Sequence, residues 1–168
     1  MKVREYNECV DLYSDKVFRF VLKNVNDEEM AKDIIQDTYL KLWEKHENVE
    51  FAKAKSYIFT TAYHTMIDYI RKNKRLSSYD NEQNADLIDS YGKSVPAREH
   101  VDLKRILNEA LHLLPEGQRS VILLRDYEGY SYQEIGKITG MSESQVKVYI
   151  YRGRLFLKNY IKDPSLIM

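Results

Sequence analysis

The stretch SYQEIGKITGMSESQVKVYIYRGR, residues 131–154, decides the fold. Ser131 with Glu134, and Ser142 with Gln145, have capping-box spacing: each hydroxyl can satisfy an orphan N–H at a helix start. Gly140 lies in the break between the two periodic runs, where a residue able to adopt positive φ ends one helix and turns the chain. Gly136 is small where the first helix needs close approach by the second. Ile135, Ile138 and Met141 supply one side of a small core. Val146, Ile150, Gly153 and Leu157 supply the other, at spacings of four, three and four. Several offsets agree on a helix-turn-helix.

A helical hairpin inside a bundle would share those caps, so the outward face of the second helix matters. Ser144, Gln145, Val148, Tyr149 and Arg152 lie opposite the core, beginning near the helix N-terminus, where recognition helices enter a major groove. Gln145 or Arg152 suits a bidentate base contact, worth about 1–3 kcal/mol of discrimination. Lys147, Tyr151, Arg154 and Lys158 flank them as phosphate clamps, which position without specifying. Residues 142–162 hold five basic side chains and one acidic. The pattern points to DNA.

The rest of the 168 residues is also patterned for helix. Residues 3–24 repeat Tyr6, Val10, Tyr13, Val17 and Phe20 at helical spacing, with Cys9 beside that face. In NDEEMAKDIIQDTYLKLWEK, Asn26 is the expected cap and Glu29 its capping-box partner. The third segment, AKSYIFTTAYHTMIDYIRKNKR, sets Ile58, Ala62, Met66, Tyr69 and Ile70 against Thr60, His64, Asp68 and Arg71. Over 74–98 the periodicity disappears among Ser, Asn, Asp, Gly and Pro, as in a linker. Patterning resumes with Val101, Ile106, Leu107, Ala110, Leu111 and Leu114, and Pro115 opens a further helix. These runs predict an all-α protein of two small helical domains, 1–75 and 101–168, joined by a flexible linker over 76–100.

Composition sets further bounds. Charged residues are 31% and apolar residues 43%, enough for a core. Net charge is zero, yet it alternates: −4 over 1–50, +5 over 51–75, −4 over 76–103 and +3 over 104–168. Two separated basic blocks offer two nucleic-acid footprints. No apolar run exceeds four residues and the start has no signal-peptide core, so no membrane insertion and a cytoplasmic location are expected. A lone Cys9 fits a reducing compartment. His46, His64, His100 and His112 form no metal-binding spacing, and there is no phosphate-cradling glycine loop. No catalytic residue, metal or cofactor is expected.

DIIQDTYLKLWEK followed by SYIFTTAYHTMIDYIRKNKR resembles region 2 of bacterial sigma factors. LPEGQRSVILLRDYEGYSYQEIGKITGMSESQVKVYIYRGR resembles their region 4. With only a short linker between, the chain resembles the extracytoplasmic-function (ECF) group. The resemblance implies core RNA polymerase and promoter DNA as partners, and an anti-sigma factor as a regulator. It places polymerase docking on the second helix, where Asp33, Gln36, Asp37, Leu40 and Glu44 fall on one arc, an apolar centre with a polar rim. Trp43 reads as core. The third helix and the loop before it would open the minus-ten element, with Tyr57, Tyr63 and His64 for unstacked bases. Lys53, Lys55, Arg71, Lys72, Lys74 and Arg75 would hold phosphates there. The helix carrying Ser144 to Lys158 would read the minus-thirty-five element. The chain departs from the family pattern at Tyr57, Tyr63-His64 and Val148-Tyr149, which stand where tryptophan, Arg-Asn and Ser-Arg are usual. A stand-alone helix-turn-helix regulator, acting as a dimer without polymerase, is the rival reading.

Overall fold

The structure, a computed structural model, describes residues 1–77 and 103–162. The described residues are helical, with no strand among them. Almost all of the expected linker, and Val101 with it, lies outside the described residues.

Three helices form the N-terminal half: α1 (Val3–Val25), α2 (Glu28–Lys45) and α3 (Ala54–Ser77). The sequence pattern places apolar side chains on their facing sides. Val17, Phe20 and Val21 of α1, Ile34 and Leu42 of α2, and Ile58, Phe59 and Met66 of α3 make its core. Cys9, expected beside the buried face, is fully buried within it. The cap expected at Asn26 falls one residue later. Asn26 instead ends α1 in the left-handed region, φ 52°, donating its N–H to Leu22 O at 2.8 Å. Asparagine tolerates that conformation, and the turn leaves Asp27 extended to start α2, its Oδ1 accepting from Met30 N at 3.1 Å.

The C-terminal half holds α4 (Leu103–Leu113), α5 (Glu116–Ile122), α6 (Tyr132–Thr139) and α7 (Glu143–Lys162). The α6–α7 pair matches its sequence signature. Ser131 Oγ accepts from Glu134 N and Ser142 Oγ from Gln145 N, each at 3.1 Å. Gly140 turns the chain at φ 79° and donates to Gly136 O at 2.8 Å. Ile135, Ile138, Val146, Ile150, Gly153 and Leu157 are buried together, and Met141 is half-buried. Gly153 touches α5 so closely that an added Cβ would sit 2.2 Å from Ile122 Cδ1.

Between α5 and α6 the helix widens into a π-turn, Leu123–Tyr127. Glu128 N–H reaches back to Leu123 O and Tyr130 N–H to Leu124 O. Such widening re-aims the side chains that follow it. Here it brings Glu128 to Arg19 of α1 and Tyr130 to Phe59 of α3. The two halves therefore meet, and α3 packs against α6 as well as against α1 and α2. The sequence leads one to expect two helical domains on a linker and leaves their arrangement open. The turn at 123–130, which carries no hydrophobic period of its own, joins them.

Candidate nucleic-acid interface

Helix α7 presents its outer face much as its spacing implies. Ser144, Gln145, Lys147, Arg152 and Lys158 are exposed, Val148 is 43% exposed and Tyr151 68%. An exposed apolar residue between polar and basic neighbours can meet a thymine methyl while those neighbours reach base edges and phosphates. Four members of the set already have partners within the chain. Gln145 Nε2 donates to the Tyr149 hydroxyl at 3.2 Å, and the half-buried Tyr149 ring lies over Gly117. Arg154 grips Asp126 through two hydrogen bonds, Nε at 3.2 Å, and that pairing holds its guanidinium above its ordinary pKa. Arg154 thus ties α7 to the π-turn. Lys147 forms an exposed i,i+4 pair with Glu143 at 3.5 Å, too weak to compete with a phosphate.

The basic N-terminal block divides differently. Lys53, His64, Arg71, Lys72, Lys74 and Arg75 are exposed on the second 3-10 turn (Phe51–Lys53) and α3. Tyr57 is half-buried. Tyr63 is only 7% exposed, its ring edge-on to His64 at 5.4 Å. Burial, then the nearby Glu116 carboxylate, raises its hydroxyl pKa. Lys55 lies over the Tyr130 ring at 5.1 Å, and Lys74 reaches Glu116 at 4.0 Å. Three of the side chains expected to face DNA thus meet the C-terminal half.

On α2, Asp33, Gln36, Leu40 and Glu44 lie on the exposed surface, Leu40 at 56%. Asp37 is half-buried and accepts a 2.6 Å hydrogen bond from the Tyr69 hydroxyl, which pushes the Tyr69 pKa up to about 12. With Lys41 Nζ donating to Thr65 Oγ1 at 2.8 Å, it pins α2 to α3. Trp43, expected in the core, is 41% exposed. It stacks on His46 at 4.3 Å and meets Tyr6 edge-on at 5.0 Å. One turn beyond Leu40, it widens the apolar centre of that patch. The signal was its place at i+3 from an outward leucine, overridden by its size.

Among the described residues no group of His, Cys, Asp and Glu is placed to hold a metal ion, and no helix is long and apolar enough to cross a membrane.

An exposed basic helix capped and braced this way defines a helix-turn-helix DNA-binding protein, with a second, acidic and apolar patch on its other half. Comparison with known families gives the particular class. Residues 9–76 match the model of sigma-70 region 2, and residues 104–157 match sigma-70 region 4. The chain is 30% identical over 159 residues to the RNA polymerase sigma factor SigV of Bacillus subtilis, covering 94% of this chain and 92% of that protein. It is 28% identical over 152 residues to the ECF RNA polymerase sigma factor SigM of the same organism, covering 90% and 92%. In fold it is similar to the sigma factor RpoE of Bartonella quintana, solved with the anti-sigma factor NepR. The TM-score is 0.73 at 24% identity, over 96% of this chain and 99% of that one. The chain belongs to the sigma-70 family of RNA polymerase sigma factors, in the ECF group.

Proposed function

We propose that the chain binds core RNA polymerase, recognises promoter DNA and initiates transcription as an ECF-type sigma factor in the cytoplasm. Polymerase docks on the exposed α2 arc of Asp33, Gln36, Leu40 and Glu44, widened by Trp43. Asp37 positions α3 behind that arc through Tyr69. The α7 face from Ser144 to Arg152 reads the minus-thirty-five element, with Lys147, Tyr151 and Lys158 on phosphates. Helix α3 and the turn before it open the minus-ten element. His64 and the half-buried Tyr57 take unstacked bases, and Lys53, Arg71, Lys72 and Arg75 hold the backbone. Residues 1–75 and 101–168 share the labour accordingly. The chain makes and breaks no covalent bond: binding energy stabilises melted DNA while polymerase does the chemistry.

The observation that carries this reading is the uncovered α7 face, polar and basic around Val148, beside a separate docking patch on α2. A stand-alone regulator would use α7 and leave the α2 patch without a role. The structural relatives RpoE and CnrH were solved with protein partners, NepR, named an anti-sigma factor, and the cytosolic domain of CnrY. An anti-sigma factor is the regulator we propose here too.

Co-migration with core polymerase on gel filtration tests the docking. Wild type should elute with polymerase and Leu40→Asp should elute alone, with unchanged helical content. Equal co-migration of the two would remove α2 as the docking face.

A further inference from the structure

Helix α7 carries a hydrogen bond between two of its own side chains. Gln145 Nε2 donates to the Tyr149 hydroxyl at 3.2 Å, four residues and about one turn further on. The tyrosine is the fixed member of the pair. It is half-buried against the core, and its ring lies where Gly117 of α5 leaves room. A Cβ at residue 117 would stand 3.0 Å from Tyr149 Cε2 and 3.4 Å from Met141 Cε. Gln145 is exposed, a side chain with rotamer freedom to lose. A rigid ring holds a flexible amide.

An amide held this way favours one base. The bond to Tyr149 uses one of the two amide N–H groups and leaves the second N–H and the carbonyl oxygen available. In the major groove adenine offers their complement, an N7 acceptor beside the N6 donor. Guanine offers two acceptors, N7 and O6, and meeting both takes both N–H groups. One of those is already engaged, so the amide oxygen would face O6 lone pair to lone pair. Freed of Tyr149, the amide could turn both N–H groups to guanine.

Val148 adds a second cue. It follows Gln145 by three residues and so lies on the same face, 43% exposed. An apolar group there suits the methyl of a thymine, which an A·T pair presents in the same groove.

We propose that Tyr149 is a positioning residue: its hydroxyl fixes the Gln145 amide so that this part of α7 reads adenine in an A·T pair. That the pair lies in the minus-thirty-five element rests on the sigma-factor reading above; the adenine preference of α7 does not.

The test is a selection from duplexes randomised over the minus-thirty-five region of a promoter fragment from beside the protein's own gene. It is made by the full chain alone and again by the chain with core polymerase. Sequencing the bound duplexes gives the recovery of adenine relative to guanine at each position. Wild type should favour adenine at one position. Tyr149→Phe keeps the ring on Gly117 and removes the hydroxyl, so the preference there should fall about three- to tenfold, the worth of one hydrogen bond. Other positions and the urea midpoint should not move, whereas a tyrosine that only braces the fold would lower binding at every position alike. Gln145→Ala should abolish the preference, and adding Tyr149→Phe to it should change nothing further. Gly117→Ala, which crowds the ring from α5, should blunt the same position. No adenine position in wild type, a Tyr149→Phe profile equal to wild type, or a uniform loss of binding overturns the proposal. Adenine selected by a chain that does not associate with polymerase sinks the sigma reading and leaves the positioning role standing. Enrichment by neither form overturns both.

Discussion

Gly136→Ala should destabilise the helix-turn-helix although alanine is the better helix former. On propensity alone the change favours α6 by about 1 kcal/mol. A Cβ at residue 136 would stand 2.9 Å from the Met141 carbonyl oxygen, an atom of the main chain. That oxygen cannot easily retreat. Gly140 N–H is bonded to Gly136 O at 2.8 Å, and Met141 N–H to Thr139 Oγ1 at 3.3 Å. Just beyond, Ser142 caps α7 through Gln145 N. Overpacking against a fixed neighbour costs about 1–3 kcal/mol, and the upper part of that range applies where backbone must move. The net expectation is a loss of about 1–2 kcal/mol, or roughly 3–6 °C in Tm for a chain of this length. Urea denaturation followed by far-ultraviolet circular dichroism measures it, with the exposed Gln133→Ala as control. Duplex binding should weaken in parallel, since α7 is tilted by the same displacement. A Gly136→Ala protein as stable as wild type would refute the claim that this turn is pinned.

Gly153→Ala meets the end of a side chain, Ile122 Cδ1 at 2.2 Å, so Ile122→Val should relieve it. The double mutant should then be more stable than additivity predicts by about 1 kcal/mol, a coupling of the size contacting residues show, read from urea midpoints. Ser142→Ala removes the acceptor for Gln145 N and should cost about 1 kcal/mol, measured the same way. Burial, then the Arg119 charge, holds the His112 pKa below its ordinary 6.5. The unfolded chain therefore takes up that proton more readily. His112 weakens the fold as pH falls from about 6.5 through its folded value, and not above. His112→Gln should lose less urea resistance than wild type between pH 7.5 and 5.5; equal losses would remove His112 from the acid limb.

The helix-turn-helix was legible because local signals agreed: two hydroxyl caps, one left-handed glycine and a buried stripe at spacings of four, three and four. On α2 the exposure of Asp33, Gln36, Leu40 and Glu44 follows from their spacing, but an exposed leucine marks no docking face by itself, and that role comes from the family resemblance. Periodicity could not reveal what lay across the molecule. Tyr63, expected to take an unstacked base, is buried, with Glu116 of the second half near enough to act on its hydroxyl. Trp43 reads as core by size and is exposed, its ring edge-on to Tyr6 and stacked on His46. Asn26 and Asp27 both suit a cap, and the choice fell to the backbone turn that ends α1. Arg19 and Glu128 are far apart in sequence, and nothing local marks an ion pair between them.

Run-off transcription with core polymerase tests the central claim most directly, on promoter fragments from beside the protein's own gene, with and without the chain. The account predicts transcripts only when the chain is added, lost with Leu40→Asp and weakened with Gln145→Ala or Arg152→Ala. Duplex binding by a chain that neither associates with polymerase nor yields a transcript would contradict it.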